Sequence, residues 1–498
     1  MPDPLPGSSL PWLVERARRD PDALALRDGE HELSYGQLAA RVECLAGRLA
    51  ALGLSRGDRI AVLMEASCRL VELAHAMQRC GATLVPINTR LSPAEIAPLV
   101  ADAEPRLLLY DPGRAADLEE TRTRVGSPRI VEAKDELDAV PPIGAPAPRP
   151  LDPAAILTIL YTSGTTGRPR GVMLTNGNHR ASAAASRANL GALPEDRWLV
   201  ALPLYHVGGL SIVFRSALDG AAILLQPRFD PARAAASLRA EGVTLVSLVP
   251  TMLFRLLEHG GDRPFPPSLR CVLVGGGPVR PALLARALAL GMPVAPTYGL
   301  TEAASQVATA AVGDAVDRPE SVGKVLPGTR VRILEPDESG CGEILVQGPT
   351  VMAGYFRQPD ATARALSGGW LHTGDVGRLD AAGFLYVLDR RTDLIVSGGE
   401  NIYPAEVEAV LLAHPEVLEA AVYARPDPEW GQHVVAAVIL RAENAVDDQD
   451  LRAWCKARLA GYKVPRVIEH VATLPRTASG KVRRHLLAAG AVLRPRGR

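Results

Sequence analysis

The chain has 498 residues, room for about three ordinary domains at about 150 residues each. Lys plus Arg and Asp plus Glu both number 55, so the formal net charge is zero and no overall field recruits nucleic acid or anionic lipid; a 47% hydrophobic, 22% charged composition excludes wholesale disorder and collagen-like repeats. With only 4% aromatic residues the core must be built from Ala, Leu and Val, which suits a layered α/β protein.

The first ten residues are rich in Pro and show no basic segment leading into an apolar one, so no secretory signal is expected. No apolar run approaches the roughly 18 residues of a membrane span, and a cytoplasmic protein without stable membrane insertion is expected. Cys44, Cys68, Cys80, Cys271, Cys341 and Cys455 are scattered, without a CxxC pair or a His at zinc-ligand spacing. They are expected to be buried small apolar residues in a reducing compartment.

In chain order, residues 59–64 form an apolar run, 70–78 carry helical spacing and 83–87 are apolar again after Gly81, the pattern of a parallel βαβ unit. Residues 139–154 hold six prolines and must be a surface connection. A strand is expected over 156–160. The strand and helix alternation recurs over 245–296, with strands at 245–249 and 271–274 and a helix at 252–258, so a doubly wound architecture is expected. Beyond about residue 320, short strands and Gly turns at 331–334, 342–346 and 384–387 suggest a small β-rich subdomain. A separate α/β unit follows, with a helix at 404–412 and a strand at 434–440. The boundary is placed near residue 392, giving a domain of residues 1–391 and another of 392–498.

The sharpest segment is YTSGTTGRPRG, residues 161–171, directly after an apolar strand. Its glycines let backbone curl round an anion, Thr162, Ser163, Thr165 and Thr166 offer hydroxyls, and Arg170 adds a fixed charge, a combination suited to polyphosphate. It is not a Walker loop, because Gly-x4-Gly-Lys-Ser/Thr is absent. A second glycine turn, Gly275, Gly276 and Gly277, follows a strand and precedes a helix; alone it serves tight packing as well as ligand approach. TYGLTE, residues 297–302, supplies an aromatic face, hydroxyls and a carboxylate, and Glu302 could hold a magnesium ion bridging phosphates. Asp375 in HTGD and Arg390 in DRRTD suit a ribose diol, and Lys481 in PRTASGK sits on a loop able to deliver a cation. Each of these three, taken singly, reads sooner as a surface charge.

Together these segments match, in order and spacing, the adenylate-forming superfamily of acyl-CoA synthetases, adenylation domains and luciferases, and the resemblance runs from about residue 25 to 486. It implies a large N-terminal domain of doubly wound sheets with a small β-rich subdomain, then a small mobile α/β C-terminal domain that rotates between two half-reactions. By that resemblance Thr162, Ser163, Gly164, Thr165, Thr166, Gly167 and Arg170 hold the ATP phosphates. Gly275, Gly276, Gly277, Thr297, Tyr298 and Gly299 enclose adenine, Thr301 and Glu302 manage phosphate and Mg2+, and Asp375 and Arg390 hold ribose. Lys481 stabilises the adenylation transition state and Thr392 takes the hinge position, where many members have Asp or Lys. Ser397, Gly398, Gly399, Trp430 and Gly431 resemble the segments bordering the coenzyme A tunnel.

His206 in LPLYHVGG lies where amino-acid-activating members usually place an aspartate, which argues against an amino-acid substrate; it is expected to gate the acid pocket, or else to be a structural histidine. LPLYHVGGLSIVFRSAL (202–218) and YGLTEAASQVAT (298–309) are most similar to the o-succinylbenzoate-CoA ligase family of menaquinone biosynthesis. That dicarboxylate needs a cation or donors for the carboxylate that is not activated. Arg215 is the candidate, directly or through water, with Ser305 as a hydrogen-bond donor; a helix salt bridge is the other account of Arg215. Partners implied are a carboxylic acid, ATP and coenzyme A, with no nucleic acid, and a homo-oligomer is compatible with the sequence. Alternatives are a ligase for fatty or aryl acids, or a nucleotide-binding protein without turnover.

Overall fold

Runs of Leu, Ile and Val with no polar alternation set the frame, because strands covered on both faces must be apolar throughout. Ile60, Leu63, Leu84, Val85, Leu107, Leu108 and Leu109 are all fully buried. The computed structural model describes residues 10–29, 31–123, 128–144, 147–162, 169–389, 394–442, 445–475, Val482 and 484–489. In it, Thr83–Pro86, Arg59–Leu63, Leu107–Tyr110 and Arg129–Glu132 lie parallel in a seven-stranded sheet, which Ile156–Thr162, Arg170–Thr175 and Gly354–Tyr355 extend at one side. A nine-stranded sheet runs parallel from Val294–Leu300 through Cys271–Val274, Leu245–Leu248, Arg197–Val200 and Ala222–Leu225 to Leu24–Asp28, with antiparallel strands at both edges.

Helices Tyr35–Ala51, Cys68–Cys80, Asn176–Leu190 and Val207–Asp219 lie between the two sheets, and one core joins Leu45, Leu73, Ala183 and Phe214 to Leu84 of one sheet and Ile223 of the other. Further cores cover the outer faces, so the large domain has five layers. Local signals start and stop these helices. Ser34 and Gln37 form a reciprocal capping box ahead of Tyr35–Ala51, while Ser67 caps Cys68–Cys80 and Gly81, at φ 67°, ends it. Phe214 is 1% exposed and packs edge-on against Trp12 and tilted against His179; truncation to Ala would cost about 3–5 kcal/mol.

A four-stranded antiparallel sheet, Arg330–Leu334, Gly342–Gln347, Leu371–Leu379 and Leu385–Asp389, is the expected β-rich subdomain. The small domain carries its own sheet around the hairpin Val417–Asp427 and Gly431–Leu440. Helices Pro404–Leu412 and Asp448–Lys456 bury Val407, Leu411, Leu451 and Cys455 on one face of it.

Several expected bounds shift for local reasons. The strand at 245–249 stops at Leu248 because Pro250 opens the next helix, which extends to Gly260, and the strand at 434–440 begins at Gly431 as part of the long hairpin. Between Asp135–Ala139 and Ile156–Thr162 the described residues form no helix or strand, as the prolines require. The cysteine expectation needs correction: all six are free, but only Cys271 and Cys455 are buried; Cys44 in mid-helix, Cys68 and Cys80 at the two ends of their helix and Cys341 beside a turn are half-buried. Among the described residues no helix is long and apolar enough to cross a membrane.

Candidate active site

The parallel strands of the nine-stranded sheet release their chains at one edge, where open α/β sheets bind ligands. A cavity of about 520 Å³ opens there, floored by Ser247, Leu248 and Val249 at the end of one strand and Gly275 and Gly276 after the next. The turn of Thr301–Ala303 forms one wall, the start of helix Val207–Asp219 another, and Asp375 of the antiparallel sheet a third. Gly299 is required there: a Cβ would stand 1.8 Å from the Ser305 carbonyl oxygen.

Arg215 closes the deep end. It is 3% exposed, yet its guanidinium has little company. Nη2 donates to Gln306 Oε1 at a long 3.5 Å, the group stacks 5.1 Å over the Trp198 ring, and Nε has no hydrogen-bond partner. Burial pushes its pKa down to about 10, opposed by Asp219 one turn along the helix, so it stays cationic at neutral pH. A buried, under-satisfied cation at a cavity wall is an anion receptor, because leaving it unpaired is unfavourable. The salt-bridge account of Arg215 does not hold in this form, since Asp219 sits 3.7 Å from Arg187 instead.

The turn after Gly299 is strained. Ala304 and Ser305 adopt φ values of 51° and 102°, a region that L residues avoid, and Ser182 Oγ pins the turn by donating to Ala304 O at 2.6 Å. This conformation turns Glu302 toward the cavity, where Tyr355 Oη donates to its Oε1 at 3.0 Å. Burial, with the nearby Asp375, holds the Glu302 carboxyl above its ordinary pKa against the opposing pull of Tyr355 and Arg170. Its negative charge is under-compensated, which fits a divalent cation shared with phosphate oxygens; magnesium needs only one or two protein carboxylates in such a site. Among the described residues no group of three or more His, Cys, Asp or Glu gathers to hold a metal by itself. Arg170 stacks 5.2 Å over the Tyr355 ring on the same wall.

The small domain reaches the cavity mouth. Gly399, at φ 83°, lies so close to Val249 that a Cβ would be 3.0 Å from its Cγ1. The next residue, Glu400, stands 3.2 Å from His206 Nε2 and 3.0 Å from Arg90 Nη1. Burial alone would raise the Glu400 carboxyl pKa, but His206 and Arg90 bring it below the ordinary value.

This arrangement has counterparts. Residues 13–356 match the AMP-binding enzyme family and residues 406–481 the AMP-binding enzyme C-terminal domain. The chain belongs to the AMP-binding enzyme family. It is 45% identical to the 2-succinylbenzoate–CoA ligase of Bacillus licheniformis over 96% of this chain and 98% of that one. Among solved structures, a double mutant of the Bacillus subtilis o-succinylbenzoate CoA synthetase, bound with its product analogue OSB-NCoA, superposes with a TM-score of 0.90 at 40% identity, covering 96% and 98% of the two chains. The same Bacillus subtilis enzyme in complex with ATP and magnesium ion scores 0.74 at 39% identity, covering 96% and 99%.

The expected site residues of this AMP-binding enzyme divide into three groups. Thr162, Arg170, His206, Arg215, Gly275, Gly276, Thr297, Gly299, Thr301, Glu302, Ser305, Asp375 and Gly399 all line the one cavity. Gly277, Tyr298, Ser397, Gly398, Trp430 and Gly431 sit behind or beside it. Tyr298 offers no open aromatic face: it is 4% exposed and its hydroxyl donates to Asp375 Oδ2 at 2.6 Å. The Thr297 hydroxyl is likewise engaged within the sheet, by Ala308 O and Thr309 Oγ1. Gly398 makes room for Trp430, whose ring a Cβ would approach to 2.7 Å. Ser163, Gly164, Thr165, Thr166, Gly167, Arg390, Thr392 and Lys481 lie outside the described residues. Missed from sequence were Tyr355, Gln306, Trp198 and Glu400, each brought to its partner only by the fold; of these Gln306 alone sat inside a quoted motif, YGLTEAASQVAT.

Proposed function

We propose that the chain is an acid–thiol ligase that joins o-succinylbenzoate to ATP as an acyl-adenylate, releasing pyrophosphate, and then passes the acyl group to the thiol of coenzyme A, releasing AMP. The observation that carries the substrate assignment is Arg215, a buried guanidinium with an unpartnered Nε at the closed end of the nucleotide cavity. A monocarboxylic fatty or aryl acid would leave that charge unanswered; the second carboxylate of o-succinylbenzoate answers it. The 45% identity to a 2-succinylbenzoate–CoA ligase over nearly the whole length supports the same substrate and a place in menaquinone biosynthesis.

Adenylation brings a carboxylate against an α-phosphate, so like charges must be offset. Thr162, Ser163, Thr165, Thr166 and Arg170 gather the phosphates, and the backbone at Gly275 to Gly277 and at Thr297 to Gly299 shelves the adenine. Asp375, braced by Tyr298, accepts from the ribose hydroxyls, and Arg390 donates to the same sugar. Glu302 and Thr301 face the phosphates, and magnesium arriving with ATP offsets charge there. Lys481 adds a further cation for this half-reaction. Arg215 and Ser305 hold the distal carboxylate so that the other points at phosphorus.

Thioester formation needs a path for a thin thiol arm, and Ser397, Gly398, Gly399, Trp430 and Gly431 border it, with His206 as gate. The higher TM-score to the product-analogue complex than to the ATP and magnesium complex supports a thiol-transfer orientation of the small domain here. Thr392, at the boundary between residues 1–391 and 392–498, is the pivot. The enzyme acts in the cytoplasm. The test is AMP release and thioester formation with o-succinylbenzoate, benzoate and octanoate: turnover of o-succinylbenzoate well above the monoacids is expected, and an inert o-succinylbenzoate beside an active monoacid overturns the substrate.

A further inference from the structure

The seam between the domains holds a second buried cation. Lys463 follows the small-domain helix Asp448–Lys456 and is 3% exposed. Its Nζ donates to two carboxylates at 2.6 Å each: Glu406 Oε1 on the small-domain helix Pro404–Leu412, and Glu95 Oε1 on the large-domain helix Pro93–Ala103. The Glu406 pairing moves with the small domain. The Glu95 pairing exists only while the small domain lies against this face.

Glu95 is built for two tasks. Its Oε2 accepts from Ser92 N at 2.9 Å and Ser92 Oγ at 2.8 Å, the capping box that begins its helix, and this fixes Oε1 toward the seam. Ser92 Oγ also lies 3.0 Å from Arg458 O of the small domain. A few residues earlier, Arg90 pairs with Glu400 and stacks 4.6 Å over the Tyr462 ring. The strip from Arg90 to Glu95 is therefore a charged docking rail, and it engages the same domain face that brings Gly399 to the cavity mouth.

We propose that the Glu95–Lys463–Glu406 triad is a latch that holds the small domain in the thiol-transfer orientation, so that Glu95 and Lys463 are positioning residues for the second half-reaction and bystanders in the first. The inference rests on the two-step ligase reading given above. Two carboxylates around one ammonium leave a residual negative charge. Withdrawing Lys463 from Glu95 leaves Lys463 with Glu406 and Glu95 with its capping box in water, so neither state strands a bare buried charge. The pair is reversible for that reason, and a cross-domain contact of this kind biases an equilibrium between orientations.

Glu95→Gln is the decisive variant, because Gln keeps the capping box while removing the charge. Lys463→Met keeps the stem and removes the ammonium. Each is expected to slow acyl transfer from supplied acyl-adenylate to coenzyme A by roughly tenfold, the scale of a coupled contact pair, with acid-dependent pyrophosphate exchange within about twofold of the parent. A donor–acceptor dye pair across the domains, read without substrates, should report a smaller docked fraction in Glu95→Gln. Equal loss in both half-reactions, or an unchanged docked fraction, overturns the latch. The dye readout is independent of which acid is activated, so failure of the o-succinylbenzoate panel and failure of the latch are separate results.

Discussion

Arg215 and Lys463 are buried to the same extent, each 3% exposed, and their surroundings are opposite. Lys463 is clasped by two carboxylates, which outweigh burial and hold its ammonium pKa above the ordinary value. Arg215 has one long amide contact and an aromatic face, and burial drags its pKa down. Depth alone therefore says nothing about a cation's task. A saturated buried cation joins parts of the protein together, whereas one left wanting at a cavity wall waits for a ligand, because the fold has already desolvated it without supplying the anion.

A third cation, Lys481, sharpens the contrast and should show the largest effect. Lys481→Ala is expected to lower acid-dependent pyrophosphate exchange by about a thousandfold, the scale of a lost transition-state charge contact, while transfer from supplied acyl-adenylate stays largely intact. Equal loss in both would break the division of labour between cations. Arg215→Ala should reduce kcat/KM for o-succinylbenzoate by about a hundredfold with little change in the KM for ATP, as steady-state AMP release would measure. Arg215→Lys should recover only part, since a point charge lacks the planar fork. An effect confined to ATP would return Arg215 to a structural role. Tyr355→Phe removes the one hydroxyl donated to Glu302 and is expected to raise the magnesium concentration needed for half-maximal exchange only about threefold, about the worth of a single hydrogen bond.

The smallest effect concerns burial without charge. His75 and His179 flank Phe214 on the helix that carries Arg215, and burial lowers their pKa values to about 4 and about 3 from 6.5. Their folded values lie below the unfolded one. Their contribution to stability is thus complete above pH 6.5 and drains away as pH falls toward those values, because the unfolded chain takes up protons that the core refuses. Asp219, pushed up to about 6 by burial, acts in the opposite sense. Thermal unfolding from pH 7.5 to 5 is expected to show a loss of a few degrees in Tm, and His75→Phe should shrink that loss. An identical pH slope in the variant would mean that His75 is not carried neutral.

Much of the site was legible beforehand because its chemistry is concentrated in short runs. Gly275, Gly276, Gly299 to Glu302 and Asp375 line one cavity: the first pair follows a strand, Gly299 to Glu302 run off the end of the neighbouring one, and Asp375 lies within a strand of the antiparallel sheet. The failures are equally physical. Tyr298 looked like a ligand face, but its hydroxyl had a buried partner 77 positions away in Asp375. Tyr355, which does line the cavity, carries no signal of its own within AGYF. The half-buried cysteines were misjudged because composition does not say where along an element, or on which side of it, a residue sits.

By itself the sequence determined the alternation of strands and helices and the short runs of Gly, hydroxyl and charged residues from which the site was expected, because these depend on periodicity and on chemistry held within a few residues. Only the tertiary structure decided that Arg215 is buried without a carboxylate in contact, and that Glu95 meets Lys463 across 368 positions. Such pairings turn on desolvation and on distances of a few ångströms between remote segments, and neither quantity exists until the chain has folded.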